Sequence, residues 1–272
     1  MEPLLMPWLL IRKRRAPNYL ISNAPPAKRQ QTTFKPQFRL ISFCSRDLAE
    51  PTRLIFAYAG IDYEDITIEN YKLFQPDLSP TDFPMLDWNG KLIRENDAIA
   101  RMLARMYGLA GDGYFEQAKV DTIIAIMKDL SNSIMGYFEG VLGFKIIDKE
   151  TMFREVFQPS VNKHFATLEK YASQPSTSGF FFDSGVTYAD FSVANMVELL
   201  NVMHPELMVH FPSILLLTQR VFALPNLQYY LSKRPVMTEI APATSKPIMD
   251  FVKECYPKND KCLTYMFENI KY

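Results

Sequence analysis

"FRLISFCSRDLAEPTRLIFAYAG" occupies residues 38–60 and changes character part-way along. Residues 38–43 read as a β-strand. From about Ala49 the pattern becomes helical, with Pro51 in the first turn, where a missing N–H costs little, and Gly60 as the stop. Ser42 therefore falls at the exposed end of a strand that feeds a helix, the kind of place where α/β proteins bind ligands. Whether a serine there can do chemistry is the question the rest of the chain must answer.

Working outward, a second strand is expected over about 61–68, followed by an irregular loop. "FPMLDWNGKLIR" (83–94) then gives two strands joined by Asn89-Gly90, a strong hairpin signal. A helix follows over about 96–107, its apolar face built from Ile99, Met102, Leu103, Met106 and Tyr107, and Gly108 ends it. This β-α-β-loop-β-β-α order is that of a thioredoxin-like half. Beyond "GLAGDG" (108–113) the chain reads as helical. Val120, Ile123, Ile124, Met127 and Leu130 form one stripe, and further helices are expected over about 150–172, 187–203, 212–222 and 225–232. Thr187 and Asp190 have the spacing of a capping box, a folding element.

Four segments result: a basic extension (1–37), an α/β thioredoxin-like domain (38–110), an all-α domain (115–235) and a polar tail (236–272). The extension holds six of the 19 prolines and seven basic residues against one acidic residue, Glu2, so it reads as disordered. Its "RKRR" and "KR" clusters flank twelve residues, a spacing that resembles a bipartite nuclear-import signal; a solvated basic tail is the competing reading. Over the whole chain 30 basic and 30 acidic residues cancel, so no overall field draws it to nucleic acid or an anionic membrane. No apolar run is long enough to span a bilayer. Cys44, Cys255 and Cys262 make no even disulfide framework and no metal-ligand pairing with His164, His204 and His210, so no metal is expected and a cytoplasmic location is the default.

Several of these stretches carry a family resemblance. "L-x-x-F-x-x-R-x-x-A-E-P-x-R" from Leu40, "FPML" (83–86), "ENDAIARMLARMYGLAG" (95–111), "KVD" (119–121) and "TYADF" (187–191) occur in the order found in cytosolic glutathione S-transferases. The chain resembles a sigma-like member of nematode type over about 38–236. The resemblance implies a glutathione transferase fold. It also implies glutathione as substrate, hydrophobic electrophiles as co-substrates, and a homodimer. In such proteins a hydroxyl at the end of the first strand stabilises the glutathione thiolate, whose nucleophilic attack is the reaction.

In register, Ser42 stands where the sigma class has its catalytic tyrosine. A serine is shorter and far less acidic than a phenol, so it is no simple replacement. Cys44 and Ser45 also sit at this strand end. The resemblance implies glutathione contacts at Tyr71, Gln75, Phe83, Pro84, Glu95, Asn96 and Asp129. Among these, Pro84 matches the family's cis-proline, Glu95-Asn96 opens a helix N-terminus that would receive the γ-glutamyl carboxylate, and Asp129 would reach across the dimer. Other positions depart from the pattern. Leu48 replaces an arginine, Tyr71 a tryptophan, Gln75 a lysine and Asp82 a glutamine, which makes the site less cationic and should lower affinity for an anionic tripeptide. Met127, Met135 and Phe138 are candidates for the co-substrate pocket. Two readings stand: a glutathione transferase of reduced activity, and a non-catalytic binding or scaffold protein on the same fold.

Overall fold

The computed structural model describes residues 37–42, 48–67, 83–141 and 145–234. All of these belong to one compact unit, Pro36–Tyr272. The basic extension and the tail, with Cys255 and Cys262, lie outside the described residues.

Four strands form one mixed sheet in the order β2-β1-β3-β4: β1 Phe38–Ser42, β2 Glu64–Thr67, β3 Met85–Trp88 and β4 Lys91–Arg94. β1 runs parallel to β2, with Ser42 opposite Thr67, and antiparallel to β3. The crossover between β1 and β2 is helix α1, Glu50–Ala59, capped by Gly60 in the left-handed conformation. Asn89 and Gly90 both take positive φ at the hairpin, as a two-residue turn of this kind requires.

Helix α2 (Asn96–Tyr107) has the expected length, and its expected face packs at Ile99, Met102, Leu103 and Tyr107 but not at Met106. Ile99, Ala100, Leu103 and Ala104 are buried, whereas Met106 is 41% exposed. Small alanines let α2 approach its neighbours closely, so the packed arc is centred on them and the long methionine is left at the rim. The second strand is also shorter than expected, because residues 61–63 carry the chain away from the Gly60 cap.

The helical half comprises α3 (Gly113–Val141), α4 (Lys149–Met152), α5 (Gln158–Ala172), α6 (Tyr188–Met203), α7 (Pro205–Met208), α8 (Pro212–Phe222) and α9 (Gln228–Lys233). A π-helical turn, Phe153–Phe157, joins α4 to α5. Pro159 has no N–H to donate, and the wider turn just before it absorbs the break in the ladder. The expected α3 stripe is buried in full, Met127 included. The capping box forms: the Thr187 N–H and hydroxyl both donate to one Asp190 oxygen, at 2.7 and 2.9 Å. The other oxygen accepts from the Phe181 N–H at 3.1 Å.

One continuous apolar cluster runs from Phe38 and Leu40 of the sheet, through Leu54, Ile55 and Phe56 of α1, into Val193, Val197 and Ile214 of the helical half. At about 25 cal/mol per Å² such burial is the main force holding the two halves together. It fixes α1 between the sheet and α6, and so fixes both ends of the segment that begins at Ser42.

Candidate functional site

The carboxyl end of β1 is filled by the protein itself. Ser42 is 1% exposed, which corrects the expectation of an exposed strand end. Its hydroxyl oxygen accepts a 2.6 Å hydrogen bond from Nη2 of Arg53, eleven residues on in the first turn of α1. The same guanidinium donates through Nε to Asp65 Oδ2 at 2.8 Å, and its Nη1 lies 3.6 Å from Glu50. Burial alone would lower the arginine's pKa, but the Asp65 hydrogen bond and the charges of Asp65 and Glu50 overcome it and push it up. Arg53 is thus a fixed cation whose charge is already answered by two carboxylates. Leu48, just before α1, is 49% exposed.

The second part of the site is the N-terminus of α2. The Phe83–Pro84 peptide bond is cis. Glu95 holds φ 69° and ψ 115°, a conformation costly for a residue with a side chain, and serves as the helix N-cap without a side-chain capping bond. The first N–H groups of a helix have no partner within it, so this end favours an anion. Asn96 follows, and its Oδ1 is buried without a hydrogen-bond partner among the described residues. A buried acceptor of this kind costs about 1–3 kcal/mol unless a donor arrives. The Asp97 carboxyl is pushed up chiefly by burial, against the opposing pull of Lys128 and Arg101.

Helix α3 borders this end. Lys128 Nζ lies 4.0 Å from Glu95, and Arg101 of α2 donates to Asp121 of α3 at 2.8 Å. Asp129 is exposed on α3 beside Lys128, and its backbone carbonyl accepts from Ser133. The structure therefore brings Glu95, Asn96 and Lys128 together and leaves Asp129 facing solvent in the single chain. Tyr71, Gln75, Asp82, Cys44 and Ser45 lie outside the described residues. Of the other pocket candidates, Met135 is 43% exposed, while Phe138 is half-buried against Tyr137 and Phe157.

Arg53 was not singled out by sequence reasoning, though the signal was present in the "AEPTR" stretch: Glu50 and Arg53 at i,i+3 on a helix with an otherwise apolar inner face. Among the described residues no group of three or more His, Cys, Asp or Glu could hold a metal, and no helix is long and apolar enough to cross a membrane.

Residues 129–234 match the model of the glutathione S-transferase C-terminal domain. Glutathione S-transferase 1 of Ascaris suum is 31% identical over 202 residues, 74% of this chain and 98% of the relative. The chain belongs to the glutathione S-transferase family. A probable glutathione S-transferase 6 of Caenorhabditis elegans is 33% identical over 73% of this chain and 97% of its own length. Among solved structures, monomeric Na-GST-3, a glutathione S-transferase of the hookworm Necator americanus, superposes with a TM-score of 0.68. It is 30% identical and covers 74% of this chain and 99% of its own. The α/β half is thus the family's thioredoxin-like domain and the helical half its C-terminal domain.

Proposed function

We propose that this family member binds glutathione and has low conjugating activity toward hydrophobic electrophiles, because its binding apparatus is retained while its thiol-activating position is closed. The observation that carries this reading is the Arg53 to Ser42 hydrogen bond. A hydroxyl that assists the glutathione thiol must face it, whereas Ser42 is buried and accepts from the protein's own guanidinium. The residual acidity of the thiol then depends on water and on the dipoles around it, without the depression of pKa that a directed donor supplies.

The binding half is supported by the α2 N-terminus. Its N–H groups suit the γ-glutamyl carboxylate, and the buried Asn96 Oδ1 suits the neighbouring ammonium, a donor that would satisfy it. Phe83 and Pro84 belong to this proposed site by family register. Tyr71 and Gln75 belong to this proposed site by register alone. Asp129, exposed in one chain, is in place to contribute to a second subunit's site, so the working assembly is a homodimer of the sigma-like kind, located in the cytoplasm.

A second reading, a non-catalytic binding protein on this fold, is favoured by the same closed strand end. Calorimetric titration with glutathione, paired with a conjugation assay using an aryl halide, separates the two. Millimolar or tighter binding with slow conjugation supports the first reading. Binding without conjugation supports the second, and no binding at millimolar glutathione overturns the first and leaves the fold to a binding or scaffold role.

A further inference from the structure

Glu50, in the first turn of α1, is a carboxylate with no solvent exposure. Such a charge costs several kcal/mol to bury unless it is matched. Two of its partners come from the far end of the sequence. The Tyr230 hydroxyl donates to Glu50 Oε2 at 2.8 Å, across a separation of 180 residues, and Arg234 Nη1 donates to Oε1 at 3.0 Å. The other side of Arg234 forks onto both oxygens of Glu198 on α6, at 2.8 and 3.0 Å, while its guanidinium lies over the Phe222 ring at 5.0 Å. Arg53 continues the line from Glu50 to Asp65 and Ser42.

The result is an unbroken run of charged and hydrogen-bonded groups, Glu198, Arg234, Glu50, Arg53 and Ser42, from the last described helix to the last residue of the first strand. Apolar packing in its place would hold the two halves together equally well or better. What such a run adds is direction: each fork accepts one orientation of its partner. We propose that Tyr230 and Arg234 are positioning residues for the glutathione site, setting through Glu50 and Arg53 the placement of the Ser42 corner against which the thiol rests. This rests on the reading of that corner as part of a glutathione site. Asn226, whose side chain donates to the Tyr58 carbonyl at 3.1 Å, ties the same C-terminal segment to the other end of α1, so the segment holds α1 at both ends.

Tyr230→Phe in the full chain is the test, since it removes a single oxygen and keeps the ring. Amide hydrogen exchange without ligand is expected to quicken about tenfold in residues 38–42 and 49–56, with the β3–β4 hairpin unchanged, and glutathione affinity to fall about tenfold, the lower end of the scale for a hydrogen bond to a charged group. Arg234→Met should give a larger loss, partly recovered by adding Glu50→Gln, which discharges the stranded carboxylate. Uniform quickening across the sheet would show a merely structural contact and overturn the proposal. So would local quickening with unchanged affinity. If the parent chain binds no glutathione, the proposed function fails, and the exchange pattern still decides whether the C-terminal segment governs the corner.

Discussion

The two ends of the candidate site have been treated in opposite ways. At the α2 N-terminus the protein leaves groups unanswered: Glu95 holds a costly backbone conformation, and Asn96 Oδ1 is buried without a partner among the described residues. At the end of β1 the guanidinium of Arg53 is met by Asp65 and Glu50, and Ser42 is enclosed by Arg53. An end with unmet groups is preorganised for a ligand, whereas an end with met groups is preorganised for stability. On the proposed reading, the first end would anchor glutathione and the second would be closed to its thiol.

The largest expected effect lies at the closed end. Arg53→Met removes the donor to Ser42 and one of the cations beside Glu50, which keeps Arg234 and Tyr230, and is expected to cost about 2–3 kcal/mol in denaturant unfolding. A loss below about 1 kcal/mol would show the corner to be far wetter than the structure has it. At the open end Asn96→Ala should act with opposite signs. Glutathione affinity drops about tenfold by calorimetry, while the melting temperature holds or rises because an unsatisfied acceptor has gone. A fall in stability with affinity intact would reverse the assignment of the two ends.

Asp190 supplies a comparison within the interior, as a carboxylate with hydrogen bonds but no cation. Burial pushes its pKa up to about 6, even though the Thr187 and Phe181 N–H groups pull it down. A folded-state pKa above the unfolded one gives stability that is present at low pH and lost as pH rises through about 6. Between pH 7 and pH 5 the parent should therefore gain about 1 kcal/mol relative to Asp190→Asn, measured by unfolding at each pH. The smallest effect is reserved for Ser42→Ala. It should cost about 1 kcal/mol of stability and leave the pH profile of conjugation unmoved. A shifted profile would make Ser42 the thiol's partner after all.

Much of the architecture was legible because it is punctuated locally. Gly60, Asn89-Gly90 and Gly108 each demand a backbone conformation that few other residues accept, and the structure turns or stops at each of them. The Thr187–Asp190 box likewise forms from four consecutive residues. Legibility failed where the deciding partner is remote. Nothing near Glu50 announces Tyr230, and nothing in β1 announces that an arginine from α1 will cover Ser42. On α2 only the place of Met106 departed from expectation, for a related reason. Periodicity weighs Met106 above Ala100 and Ala104, whereas close approach of neighbouring helices selects small residues. In the site, the α2 N-terminus could be located from its helix start. The unmet Asn96 acceptor and the upward shift of Asp97 depend on what packs around them.

The bond between Tyr230 and Glu50 also has a meaning in the order of synthesis. The first strand and α1 leave the ribosome some 180 residues before the groups that neutralise Glu50 exist. Until Arg234 emerges, the amino-terminal half carries a carboxylate that its own fold means to bury, with Arg53 beside it but without Arg234. A nascent chain halted before Tyr230 should therefore hold its first helix loosely, even with the whole thioredoxin-like sequence translated. The corner at Ser42 is the earliest part of the described fold to be made and among the last to be locked.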